Sequence, residues 1–301
     1  MNRHVKDKLV FWLFLAPALI SFLVVVIIPF FMGLFYSMTD WTAVAGLKAN
    51  WVGFENYRDM FSSVAFKYSF MRTFLFTLLS VLSINFVALT FAFLVTREIR
   101  FKNFYRAGFF IPNLIGGLVL GYIWQFIFKS VVPAFGSLLG INFLEELLLL
   151  ADPNLTLFGL ILAFTWQYAG YIMMIYVAAL LNVPQELLEA SEIDGANFWQ
   201  KLWNITVPMI AQAFTITSFL TLVNSFKQYD IIVALTSGGP TAIYQGQTVN
   251  STELLAVHIY NVAFKYNNMA EGQARAIVFF LVLSVVSIGQ VYYSKKREVE
   301  M

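Results

Sequence analysis

Between positions 9 and 36 the chain reads LVFWLFLAPALISFLVVVIIPFFMGLFY, 28 residues without a charged side chain. A helix needs about 20 consecutive apolar residues to cross a bilayer, so this run is long enough to span one. A secretory signal also has a basic start like MNRHVKDK, but its apolar core is about 7–15 residues and a small-residue cleavage site follows. This run is about twice that length, so it reads as a retained first span. Pro17 and Pro29 are compatible with it, because membrane helices tolerate proline better than soluble ones. Further apolar stretches fall near 70–95, 107–128, 156–181, 209–235 and 274–293. The predicted fold class is an all-α polytopic membrane protein with six transmembrane helices in a single domain, 1–301. Composition agrees: 12% of residues are charged, against about 25% in a soluble domain. No cysteine is present, which excludes a disulfide framework and a thiolate metal site. His4 and His258 are too far apart in sequence to suggest a metal site. A net charge of +2 gives no reason to expect nucleic acid.

Charge fixes the expected topology. The segment REIRFKNFYR sets Arg97, Arg100, Lys102 and Arg106 against Glu98, which places it in the cytoplasm by the positive-inside rule. The basic N-terminus and Lys295-Lys296-Arg297 fit the same side, so both termini are expected in the cytoplasm. The loops 38–68, 129–155 and 236–272 are then external, the second with a short helix near 143–150. In the third span, Gly116, Gly117 and Gly121 are small enough for a close helix contact, or are simply flexible.

The stretch 182–208, NVPQELLEASEIDGANFWQKLWNITVP, interrupts the apolar pattern on the expected inner side. It sets Glu186, Glu189, Glu192 and Asp194 against Lys201 alone. Asn182 is expected to cap a first helix that opens with Val183, Pro184 and Gln185. Gly195 suits a helix end that needs positive φ. Asn197 is expected to cap a second helix that aligns Phe198, Trp199, Leu202 and Trp203. Pro208 is expected to start the fifth span. Helix physics leaves two readings open, a docking handle for a soluble partner or an amphipathic helix lying on the membrane. The acids favour the first, since interfacial helices carry Lys and Arg.

Glu189-Ala190-Ser191, then Gly195, then nine residues and Ile205-Thr206-Val207-Pro208 resembles the EAA loop of bacterial ABC importer permeases. Ser191 replaces an alanine of that pattern and Val207 a leucine. Asp194-Gly195-Ala196 fits the version found in sugar permeases. The resemblance extends along the chain: LFLAPALISFLVVVIIPF with FYSMTDW, Trp51 to Tyr57 (WVGFENY), Phe110-Ile111-Pro112 and Thr236-Ser-Gly-Gly-Pro240 are all similar to sugar permeases of the maltose and glycerol-phosphate type. It implies a type I ABC importer permease fold with a cytoplasmic EAA coupling helix, as the first-type subunit of a heterodimer. The implied partners are a second permease subunit, two ATPase subunits and an extracellular solute-binding protein, in a bacterial cytoplasmic membrane. This chain is expected to bind no cofactor and catalyse nothing. It has no G-x-x-x-x-G-K-[ST] loop, so ATP and Mg are expected on the ATPase subunits. Coupling to them is expected from Glu189, Ala190, Ser191, Asp194, Gly195 and Ala196. Glu189 would make the charged contact and Gly195 hold the bend. Phe198 and Trp199 are expected to pack the loop onto the chain's own spans.

Polar residues inside spans are costly and tend to face a protein interior or a water cavity. Thr221, Asn224, Ser225 and Gln228 share one face of the fifth span. In the permeases this chain resembles, the stretch before the Gly-Gly-Pro turn lines the sugar pocket. Sugar recognition also wants aromatic platforms and hydroxyl partners, which Trp166, Gln167, Tyr168 and Tyr171 and, in the third span, Asn113 can supply. The alternative is that these side chains only join helix to helix. Lys227 and Asp230, and Glu271 and Arg275, read as local ion pairs. Two other function classes stay in view: an ABC permease for a non-sugar solute, and an ion-coupled secondary transporter. The second would place acids or histidines inside spans, and these spans carry almost none.

Overall fold

The computed structural model describes residues 3–44 and 49–296. Arg297 of the basic tail and residues 45–48 of the first loop lie outside them. In chain order the helices begin with α1 (Arg3–Phe22), α2 (Ile28–Tyr36), α3 (Glu55–Ser62), α4 (Val64–Thr96) and α5 (Lys102–Leu114). Then come α6 (Gly117–Phe126), α7 (Val132–Leu139), α8 (Asn142–Glu145), α9 (Thr156–Leu181) and α10 (Gln185–Ile193). The second half has α11 (Phe198–Lys201), α12 (Val207–Met209), α13 (Ala211–Phe226) and α14 (Asp230–Thr236). A hairpin of β1 (Thr241–Tyr244) and β2 (Gln247–Asn250) precedes α15 (Leu255–Tyr260) and α16 (Met269–Lys295). Five helical stretches are long and apolar enough to cross a membrane, and a bent pair, Phe198–Met209 with Ala211–Phe226, makes up to six.

The chain forms two compact units. The first holds residues 1–63 and 259–281. In it, α1 and α2 join through a wide π-type turn at Leu23–Ile27. The loop after them is tied by Asn56, whose amide donates to the carbonyls of Ser37 and Thr39, both at 2.8 Å. Side-chain and backbone hydrogen bonds from Asn50 hold the Asp40 carboxyl below its usual range. Arg275 meets Glu271 at 2.6 Å, one turn apart on α16.

The second unit holds residues 64–258 and 282–301. Its hub is α9, which packs against α4, α5 and α13. It buries Leu160, Ala163, Phe164, Ile172, Met173 and Tyr176, and its small residues allow close neighbours. A Cβ on Gly170 would overlap the Phe109 carbonyl of α5. The same device joins α6 to α14: a Cβ on Gly121 would lie 2.5 Å from Ala234 Cβ, and one on Gly117 would lie 2.8 Å from Asp230 Cβ. Gly116 meets nothing within 4 Å and sits at the break between α5 and α6.

Several boundaries differ from the expected ones. The stretch 107–128 is not one helix, because it breaks at Ile115 and Gly116 behind Pro112. Helix then continues past Phe128 through a π-type turn at Ile127–Val131 into α7, so 129–139 is not loop. The short helix expected near 143–150 is Asn142–Glu145. The stretch 209–235 is also divided. Pro208 lies in α12, a bend of 68° follows, and α13 ends at Phe226, before the separate α14. Lys227 and Asp230 lie on either side of that gap and form no ion pair, because the helical i, i+3 spacing does not exist there.

Candidate functional site

The loop 182–208 folds as a helical hairpin. Its first helix starts at Gln185 with Pro184 in the cap position and no side-chain cap, so Asn182 does not cap it. Asn182 instead closes α9, its amide donating to the Ala179 carbonyl. The end of α10 is set by Gly195 at φ +75°. There the Ala196 amide donates to the Ser191 carbonyl at 2.9 Å and the Gly195 amide to the Glu192 carbonyl at 3.0 Å. That pair of bonds is a Schellman turn, which needs a residue free to take positive φ. Asn197 then caps α11 in a capping box with Gln200, at 3.0 Å and 2.8 Å. Lys201 reaches back to Glu192 at 2.7 Å and braces the two arms, and this contact lowers the Glu192 pKa.

Of the expected coupling residues, Glu189, Ala190, Asp194 and Gly195 are exposed, Ala196 is half-buried and Ser191 is buried. The Ser191 hydroxyl donates to the Leu188 carbonyl at 2.6 Å. Glu186, Glu189 and Asp194 have no ion-pair partner among the described residues. Around these acids stand bare apolar side chains, Ile193 at 88% exposure and Phe198, Trp199 and Trp203 at 53–64%. These aromatics do not pack onto the chain's own spans as expected. Each leaves more than half of its surface exposed.

The nine expected solute residues separate into groups. Thr221 and Ser225 are fully buried and bond to their own helix, Thr221 to the Thr217 carbonyl at 2.8 Å and Ser225 to the Thr221 carbonyl at 2.6 Å. Asn224 lies on α13 with them, but Gln228 does not share their face as expected, because the helix ends at Phe226; neither side-chain amide has a partner among the described residues. Gln167 donates to the Ile115 carbonyl at 3.1 Å, a group released by the break between α5 and α6. Asn113 lies two residues before that break and is half-buried. Trp166 makes an edge contact with Trp124 at 5.7 Å. Tyr168 packs in the core against Phe164 at 4.6 Å. Tyr171 lines an open groove of about 710 Å³ between α5 and α9, with Phe110, Met174 and Arg106. None of the other eight lines this groove.

Sequence reasoning missed a buried circuit. The Thr217 hydroxyl donates to the Tyr176 hydroxyl at 2.7 Å, which donates to Asn85 Oδ1 at 2.7 Å. Asn85 Nδ2 donates to Thr221 at 3.2 Å. The signal available was Asn85, the lone side-chain amide in an apolar span. Also missed were two anchors near the Gly-Gly-Pro turn. Arg72 donates to the carbonyls of Ser251 and Pro153, and the buried Glu253 and His258 meet at 2.9 Å. The turn itself is stapled by Thr252, which bonds Thr236 at 2.7 Å and the Gly239 carbonyl at 2.8 Å.

Comparison with known proteins places this architecture. The chain is 42% identical to the probable starch degradation products transport system permease protein AmyD of Thermoanaerobacterium thermosulfurigenes, over 99% of this chain and 98% of that protein. It is 32% identical to the multiple sugar-binding transport system permease protein MsmF of Streptococcus mutans, over 99% of both. Its fold matches a chain in the crystal structure of a bacterial alginate ABC transporter in complex with an alginate pentasaccharide-bound periplasmic protein, with a TM-score of 0.80 at 20% identity, over 98% of this chain and 96% of that one. Residues 84–298 match the family described as the binding-protein-dependent transport system inner membrane component, and the chain belongs to that family.

Proposed function

We propose that this chain is the transmembrane permease subunit of an ATP-driven carbohydrate importer, with oligosaccharides as cargo. The observation that carries this reading is the 42% identity, end to end, with a permease named for starch degradation products. The second relative is named for multiple sugars. The solute is delivered by a solute-binding protein and crosses between this chain and a second permease subunit. Two ATPase subunits, holding ATP and Mg, drive the change of access.

In this reading the single permease domain is 1–301 and the hairpin at 182–208 is the coupling element, cytoplasmic like both termini. Glu189 makes the charged contact with an ATPase subunit. Gly195 holds the bend, with Ala190, Ser191, Asp194 and Ala196 shaping the surface around it. The exposed Ile193, Phe198 and Trp199 support docking on a partner subunit. Work passes through this contact because the ATPase binds the two arrangements of the spans with different affinity. Asn224 and Gln228 are the best placed solute contacts, since their amides are unspent. Trp166, Tyr171 and Asn113 offer further surface, and Tyr168, Gln167, Thr221 and Ser225 support it from within the packing.

The test is reconstitution with the partner permease, the ATPase subunits and the binding protein in vesicles. ATP-dependent uptake of malto-oligosaccharide, with no ion gradient, is the expected outcome. Uptake driven by an ion gradient without ATP would defeat the mechanism. Uptake of glycerol phosphate in place of sugar would overturn the cargo.

A further inference from the structure

We infer that Tyr176 is a positioning residue for the solute-facing side of α13, acting through a closed hydrogen-bond circuit with Asn85, Thr217 and Thr221. This inference rests on the proposed function, since it concerns the Asn224 contact of the same path.

The circuit joins three helices. Tyr176 stands on α9, Asn85 on α4, and Thr217 and Thr221 one turn apart on α13. Thr217 donates to Tyr176, Tyr176 to Asn85, and Asn85 to Thr221, which donates to the Thr217 carbonyl. Asn85 also donates to the Val81 carbonyl at 2.8 Å, which fixes its amide to its own helix. Tyr176, Thr217 and Thr221 are fully buried. The Tyr176 ring is held edge-on by Phe214 at 5.1 Å. In a low-dielectric interior such bonds reinforce one another, and each fixes direction as well as distance. Apolar contact is non-directional. A closed circuit with two points on α13 adds direction to the packing of that helix.

The rotation of α13 matters for the residues above it. Asn224 continues the line of Thr217 on α13 at helical spacing, seven residues and about two turns further along. Whatever sets the azimuth of Thr217 and Thr221 sets that of Asn224. Asn85 and Tyr176 therefore aim an amide they do not touch.

Tyr176→Phe keeps the ring and removes the hydroxyl. In the assembled transporter, the expected result is a rise in KM for carbohydrate uptake of about three- to tenfold. The maximal rate per assembled complex and the ATP used per sugar should stay within about twofold. A merely structural role would lower the amount or thermal stability of the complex and leave KM alone, and that result overturns the inference. If Tyr176→Phe does not assemble, Thr217→Val opens the same circuit at another atom and is read the same way. A cargo-free readout separates the two readings. This chain has no cysteine, so Asn224→Cys gives a single site for a water-soluble maleimide. Its reaction rate should change at least about threefold when Tyr176→Phe is added. An unchanged rate overturns the circuit whatever the cargo. A changed rate beside a parent transporter that takes up no carbohydrate overturns the proposed function instead.

Discussion

Glu189 is exposed on α10, and no basic side chain among the described residues pairs with it. Glu192, one turn on, is already committed to Lys201. The two acids look alike in sequence and differ in what is left for a partner. Glu189→Lys should therefore keep the hairpin, whose brace, cap and Schellman turn it does not enter, and reverse the charge offered outward. We expect insertion and assembly at parental levels with uptake reduced at least about tenfold while ATP hydrolysis persists. Parallel assays of sugar uptake and phosphate release check this, and normal uptake would remove Glu189 from the proposed coupling surface. The chemistry at Gly195 and Asn197 was legible in the sequence because it is local. A glycine at a helix end and an Asn with a Gln three residues on need no knowledge of the rest of the fold. The Tyr176 circuit was not legible, because its partners lie 91 and 41 positions away and only tertiary packing brings them together.

At the scale of elements, the contact of α6 with α14 depends on two missing side chains. Gly121→Leu would press a side chain into Ala234 and the Ile231 carbonyl, neither of which is a flexible end. Overpacking of this kind costs about 1–3 kcal/mol. The expected outcome is a lower unfolding temperature of the complex and weak uptake, while Gly116→Ala, with open space around it, matches the parent. Thermal melts of the two variants side by side would decide it. Equal melts would mean that α6 and α14 do not depend on this contact. The Gly117 and Gly121 spacing was readable in advance, but the breaks at Ile115, Ile210 and Lys227 were not. Hydropathy runs on through the first two, and the polar residues NSFKQYD at the third read as side chains of one continuous helix; composition does not record where a helix stops bonding to itself. The expected spans at 107–128 and 209–235 were drawn across such breaks for that reason.

For the whole molecule, coverage is uneven among the spans. The hub of the second unit, α9, has 67% of its apolar window buried. With α4 and α13, the second and fifth spans, it forms a core of its own. The assignment of sides can be read directly, because a cysteine-free chain accepts single cysteines without background. Asn142→Cys should react with an impermeant maleimide added outside intact cells, and Gln185→Cys only after permeabilisation. The reverse pattern would invert the topology and overturn the proposed contact of the hairpin with an ATPase.

The broken helices have a consequence for hydration. Hydrocarbon offers no hydrogen bonds, so main-chain groups left out of a helical ladder must find protein or water. Gln167 answers the Ile115 carbonyl, and Gln125 answers those of Ala234 and Leu235. The first amides of α14, just beyond Lys227, have no helical partner, like those at any helix start. Beside them Gln228 follows the end of α13, and its side-chain amide has no partner among the described residues. The gap between α13 and α14 thus gathers donors that water or a polar solute can answer.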